Sequence, residues 1–134
     1  MRRTLASKVT YFALGTLLFV SGWAVGQERG ATEKTALHVV AFTTPDGMTQ
    51  QDWDAFKQAT ATLVTTMPGL KRAWAGKLRQ PVVMGDVTRT HGLVLEFDSL
   101  KSRLAYSSHP TREPWAKTWE KVRKTGTIVD VIGE

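Results

Sequence analysis

The segments that read as β-strands carry apolar side chains on both faces, and this two-sidedness limits the possible folds more than any other feature of the sequence. In Ala36 to Thr43, Leu37, Val39 and Ala41 fall on one face while Val40 and Phe42 fall on the other. Between His91 and Phe97, Leu93, Leu95 and Phe97 oppose Val94; between Thr127 and Ile132, Val129 and Val131 oppose Ile128 and Ile132. Side chains alternate across a sheet, so a strand wetted on one face shows apolar residues only at every second position. Either a small sheet is noisily patterned or both of its faces are covered.

The chain supplies one cover. Thr49, with Asp52 three residues on, has the form of a helix N-cap, and Trp53, Phe56, Thr60, Leu63, Val64 and Met67 then recur at helical spacing up to the break at Pro68-Gly69. Leu70 to Lys77 reads as a second strand in which Leu70, Ala73 and Trp74 are imperfectly phased. Leu78 to Thr90 holds Pro81, Gly85 and Asp86 and reads as a loop with room for brief pairing at Val82 to Met84. Asp98-Ser99 caps a short helix that breaks at Ser107 to Pro110. A further helix, about Glu113 to Lys124, puts Trp115, Trp119 and Val122 on one face and ends at Gly126. The order is β, α, β, β, α in two pieces, β: an α+β, ferredoxin-like βαββαβ arrangement on a four-stranded antiparallel sheet. A single domain over 36–134 leaves no second helical layer. A second copy of the chain is the simplest cover for the other face, and a homodimer through the sheet faces is expected.

The first 26 residues stand apart. Arg2, Arg3 and Lys8 precede an uncharged run, Val9 to Gln27, that is rich in Leu, Phe and Val and ends in the small residues Ala24-Val25-Gly26. That is the layout of a signal peptide, or of an N-terminal membrane anchor if it is not cleaved. Export to the periplasm or the outside, or anchoring through residues 9–27, is therefore expected, with 27–35 as a polar tether. Setting those three basic residues aside lowers the formal net charge from +6 to +3. The remaining basic residues are scattered, without a nucleic-acid-binding motif, so nucleic acid is not an expected partner and the membrane is one only through the N-terminal segment. Cysteine is absent, which excludes disulfides and thiolate chemistry.

Five stretches, in order, resemble the stress-responsive A/B barrel domain: His38-Val39-Val40-Ala41-Phe42, Met67-Pro68-Gly69-Leu70, Leu95-Glu96-Phe97-Asp98-Ser99, Ala105-Tyr106-Ser107-Ser108-His109-Pro110 and Val129-Asp130. The resemblance runs from Ala36 to about Ile132. It implies a dimer whose sheets pack face to face into an α/β barrel. Many members have no assigned reaction; one enzymatic type, a plant polyketide cyclase, uses a His-Tyr pair. By that likeness Tyr106 matches the tyrosine and His38 a pocket histidine. Arg112 stands where the cyclase keeps its catalytic histidine, and Thr60 where it has a pocket tyrosine. A permanently charged guanidinium cannot abstract a proton at neutral pH, so the cyclase mechanism is not expected here.

The ligand-pocket candidates are His38, Tyr106, His109, Arg112 and Trp53, with no catalytic residue assigned. All but Arg112 have a structural alternative. His38 can be a strand histidine satisfied by a neighbour, His109 a helix cap, Tyr106 and Trp53 packed aromatics. His91, opening a strand, is expected to be exposed. Three histidines without close spacing make no metal site, and no cofactor fingerprint is present, so neither metal nor cofactor is expected. Two functions remain: a dimeric barrel that binds an apolar or aromatic small molecule or serves in stress protection, and a cofactor-free cyclase or monooxygenase. A purely structural assembly module is the third possibility.

Overall fold

The computed structural model describes residues Glu33–Glu134. The expected signal or anchor at 1–26, and the tether up to residue 32, lie outside the described residues. The elements are β1 (Ala36–Thr43), α1 (Gln50–Thr66), β2 (Leu70–Met84), β3 (Val87–Phe97), α2 (Leu100–Tyr106), α3 (Arg112–Val122) and β4 (Thr125–Ile132). The strands form one antiparallel sheet in the order β2-β3-β1-β4, the expected ferredoxin-like arrangement.

Local chemistry starts and stops the helices. The Thr49 hydroxyl accepts the Asp52 amide at 3.1 Å while the Asp52 carboxylate accepts the Thr49 amide at 3.1 Å, a reciprocal capping box at the start of α1. Pro68 disfavours helical backbone at the residue before it, and Met67 is accordingly extended. Gly69 follows at φ 76°, and any Cβ there would collide with the Ser102 side chain, so the step into β2 needs glycine. Ser99 caps α2 by accepting from the Ser102 amide at 3.1 Å.

The core lies between one sheet face and the helices. Phe42, Phe56, Phe97, Leu63, Leu93, Leu95, Val40 and Val122 are fully buried in it, beside Tyr106, Trp115 and Trp119. Burial of each large apolar side chain contributes about 1.5–3 kcal/mol. Register fixes the faces: Ala36, His38, Val40 and Phe42 share the helix side with Leu93, Leu95 and Phe97 of β3, and with Ile128 and Asp130 of β4. The opposite face holds Leu37, Val39, Ala41, Val94, Trp74, Val129 and Val131. No element of the described residues lies over it, and Trp74, Val129 and Val131 are exposed by 49%, 54% and 48%. The two-sided patterning is therefore real, with one side uncovered in the single chain.

The segment expected to be a loop is instead a hairpin. β2 continues through Leu78 to Met84, turns at Gly85-Asp86 and returns as β3 from Val87. Gly85, at φ 60°, suits the first position of a two-residue type II′ turn, which matches strand twist. Pro81 misleads because a proline argues against a central strand, but β2 is an edge strand and Pro81 lies in the register shift between Lys77 and Val82, where no ladder donor is needed. A second shift, between Leu70 and Arg72, explains the imperfect phase of β2: Lys71 is an extra residue, so Leu70 and Ala73 face the same side.

Candidate functional site

His38 sits in the middle of β1 on the helix side, and the β1–β4 register sets Asp130 directly opposite. Its Nδ1 lies 2.8 Å from Asp130 Oδ1. With a carboxylate as acceptor, Nδ1 carries the proton and Nε2 keeps its lone pair. Arg103, on α2, donates from Nε to the same Oδ1 at 2.9 Å and from Nη1 to Ser107 Oγ at 3.1 Å. One helical turn places Tyr106 beside it, with its ring centroid 6.0 Å from His38 and 5.3 Å from Phe97. Arg112, opening α3, lays its guanidinium over the rings of Tyr106 at 5.1 Å and Trp115 at 5.4 Å. Its Nε is buried without a hydrogen-bond partner among the described residues. Trp115 donates its indole N–H to Thr60 Oγ1 at 2.9 Å, and that hydroxyl donates to the Phe56 carbonyl at 2.8 Å. Thr60 is thus occupied in packing.

Burial lowers the His38 pKa; the Asp130 hydrogen bond pulls it up and the Arg103 charge pushes it down, leaving it below the ordinary 6.5. His38 is therefore neutral near pH 7. Burial raises Asp130, but the hydrogen bonds from His38 and Arg103 outweigh it and hold the carboxyl below the usual range. Burial raises the Tyr106 phenol, offset in part by Arg112, so it keeps its proton. A neutral imidazole with a free ring nitrogen and a protonated phenol can act as base and acid towards a bound molecule.

The expected site residues divide. His38, Tyr106 and Arg112 come together around Asp130 and Arg103. His109 lies beside them: its Nδ1 accepts the Thr111 amide at 3.2 Å just ahead of α3, and with Tyr106 it lines a cleft of about 270 Å³ reaching Met67 and Ser102. Trp53 does not join them. It packs at 5.4 Å from Phe56 and 5.4 Å from His91, and lines a separate cleft of about 440 Å³ with Met48, Lys57 and Lys77. His91 is buried rather than exposed, because β3 begins four residues earlier than expected and Phe42 and Trp53 flank its ring. A roomier depression, about 730 Å³, is elsewhere again, between α1 and α3 over Ala59, Leu63 and Trp115. Among the described residues no three His, Asp or Glu side chains converge on one point.

Asp130 and Arg103 were not among the expected site residues. A signal for Asp130 exists: it interrupts the apolar run Ile128-Val129-Asp130-Val131-Ile132, as His38 interrupts Leu37-His38-Val39. Two polar residues in apolar strands are explained when they face each other. Arg103 offers no comparable signal, since it sits on a short helix among polar neighbours.

The model of the Stress responsive A/B Barrel Domain matches residues 36–132. No curated protein is significantly similar in sequence. Among solved structures, the chain is similar to a hydroxynitrile lyase from Passiflora edulis, with 20% identity over 77% of this chain and 95% of that one and a TM-score of 0.62. It is also similar to a dimeric protein of unknown function and ferredoxin-like fold from Bacteroides fragilis, with 20% identity over 73% and 95% and a TM-score of 0.55. A third is a Dabb family protein with a ferredoxin-like fold from Mesorhizobium loti, with 16% identity over 76% and 99% and a TM-score of 0.57.

The histidines give the site a pH signature. His38 and His91 both titrate below 6.5 when folded, so on acidification the unfolded chain takes up protons first. Their contribution to stability is full above about pH 6.5 and is lost as pH falls through the folded pKa values. Urea midpoints measured between about pH 8 and pH 5 should fall with pH, and His38→Gln should reduce the decline, with His91 supplying the remainder. A decline as steep in His38→Gln as in the wild type would contradict the assignment.

Proposed function

The chain belongs to the stress-responsive A/B barrel family, and from that premise we propose that it is an exported, dimeric barrel protein that binds an apolar or aromatic small molecule bearing an oxygen acceptor. One observation carries the reading. An aromatic core of Phe97, Tyr106 and Trp115 surrounds polar groups with unspent hydrogen-bonding capacity, His38 Nε2 and Arg112 Nε. Packing alone gives no reason to bury an unmet donor such as the Arg112 Nε–H, which costs about 1–3 kcal/mol. A ligand with an aromatic body and one carbonyl or carboxylate group would meet the rings and the Arg112 donor.

A second reading, a cofactor-free enzyme, is favoured by the Asp130–His38 pair. A carboxylate that fixes Nδ1–H leaves Nε2 as a base, with Tyr106 as the neighbouring acid. The hydroxynitrile lyase among the structural relatives is compatible with catalysis on this fold, although fold alone does not assign a reaction.

Dimerisation is supported by the uncovered apolar sheet face and by relatives described as dimeric. Export is supported by the basic start and the apolar run of the first 26 residues.

In a thermal-shift screen of aromatic aldehydes, ketones and acids, a ligand at a hundred times its Kd should raise Tm by on the order of 10 °C. Tyr106→Phe and Arg112→Met should each lose at least half of that shift. No response to any compound would sink both readings; recovery of the compound unchanged separates binding from catalysis. Light scattering at micromolar concentration should give twice the chain mass, and a monomer would overturn the dimer. N-terminal sequencing of the protein from cell fractions should place it outside the cytosol, beginning near Gln27 or still membrane-bound, whereas an intact chain free in the cytosol would exclude export.

A further inference from the structure

We propose that Arg89, Thr125 and Thr127 form an oxyanion site at the end of the sheet, separate from the His38–Asp130–Arg103 cluster, and that its occupant is a carboxylate. Arg89 is 8% exposed. Its Nη1 donates to Thr43 Oγ1 at 3.3 Å and to Thr125 Oγ1, and its Nη2 donates to Thr127 Oγ1 at 3.3 Å. All three partners are neutral hydroxyls. Nε–H is buried and meets no acceptor among the described residues.

Other arginines are matched in different ways: Arg112 and Arg123 share the unpartnered buried Nε but lie over the rings of Tyr106 and Trp119. Arg103, equally buried, has Asp130 at 2.9 Å, and the exposed Arg72 has Glu96 at 2.7 Å. Among the described residues, no Asp or Glu oxygen lies within salt-bridge reach of Arg89. A charge withdrawn from water without a counter-charge is costly, so an anion from outside the chain would lower the energy of this arrangement.

The hydroxyls supply the rest of the cradle. Thr43 spends its proton on the Thr88 carbonyl at 3.0 Å. The oxygens of Thr125 and Thr127 accept from the guanidinium, and among the described residues their own protons have no acceptor, so both remain available to a ligand. A guanidinium with two adjacent O–H donors and no acceptor of its own selects a compact, acceptor-only, negative group. The β1–β4 register sets Thr43, Thr125 and Thr127 on the face turned away from the helices. A carboxylate can reach that face from two sources, a small free acid or an acidic side chain of a second copy laid on the sheet. Only the second source rests on the dimer reading.

The experiment separates them. Chloride is exchanged for acetate or succinate at constant ionic strength while Tm is followed for the wild type, Thr125→Val/Thr127→Val and Arg89→Gln. The valine pair keeps shape and strand preference while removing both O–H donors, which protects the test if the arginine variant folds poorly. A free carboxylate predicts a saturable rise of Tm in the wild type that falls to a third or less in the valine pair. A carboxylate from a second copy predicts no such rise, but a dimer dissociation constant, by sedimentation, about tenfold higher in both variants. A monomer that still shows the carboxylate shift would keep this site while removing the dimer. Equal Tm shifts in all three proteins, or no shift together with unchanged dimerisation, overturn the proposal.

Discussion

The carboxylate of Asp130 joins three elements that are far apart in sequence. It accepts the His38 Nδ1–H across the β1–β4 ladder and the Arg103 Nε–H from α2, so one oxygen ties the central strand, an edge strand and the helix above them. Removing one member of a fully buried charged pair costs about 3–5 kcal/mol. The Asp130 side chain is 35% exposed, so solvent screens part of that and the cost here lies below the range. What the triad supplies besides stability is orientation. It fixes the tautomer of His38 and holds α2 so that Tyr106 faces the imidazole, and the candidate site follows from those two facts.

Elements governed by neighbouring residues could be read from the sequence; those governed by a pairing partner could not. The Thr49–Asp52 capping box, the Pro68-Gly69 stop and the Ser99 cap are complete within four residues, and each is found where expected. The β2–β3 hairpin depends on β2 being the edge strand, a property of the whole sheet order, so Pro81 and Gly85 looked like a loop. The same division runs through the site. Tyr106, His109 and Arg112 belong to one continuous stretch and are legible together, whereas the His38–Asp130 pair spans 92 positions, and the interrupted apolar runs become a pair only once the register sets them opposite each other. Trp53 shows the reverse error: its helical spacing correctly put it against the core, but spacing does not say which end of the core.

The hairpin also bears on how the sheet is completed. Val82, Val83, Met84 and Val87 are exposed on it, continuing past the region covered by α1. An apolar edge strand is an invitation to pair with other chains. Two features blunt it here: Pro81 withholds a donor, and the register shift beside it interrupts the ladder. The uncovered face has fewer such guards. The Arg72–Glu96 pair lies at one side of it, with the guanidinium 5.3 Å from the Trp74 ring, while its centre is Leu37, Val39, Ala41 and Val129. Charge at the rim and aliphatic side chains at the centre suit burial of the face better than edge-to-edge growth.

The charge balance around His38 is set by few groups. Asp130 is one negative group, matched by Arg103, which leaves the imidazole neutral and Arg112 as a cation whose nearest compensation is the π-faces of Tyr106 and Trp115. Aromatic faces stabilise a cation by about 0.5–2 kcal/mol, less than a carboxylate would in the same surroundings. A second acid at this place would quench Arg112 and, by its charge, raise His38 towards protonation; with only rings beside it, the guanidinium keeps its pull on an incoming oxygen and the imidazole keeps its lone pair. Arg112 therefore does more than stand in for a missing base. It sets a positive charge with no carboxylate partner among the described residues beside a neutral His38 and a protonated Tyr106.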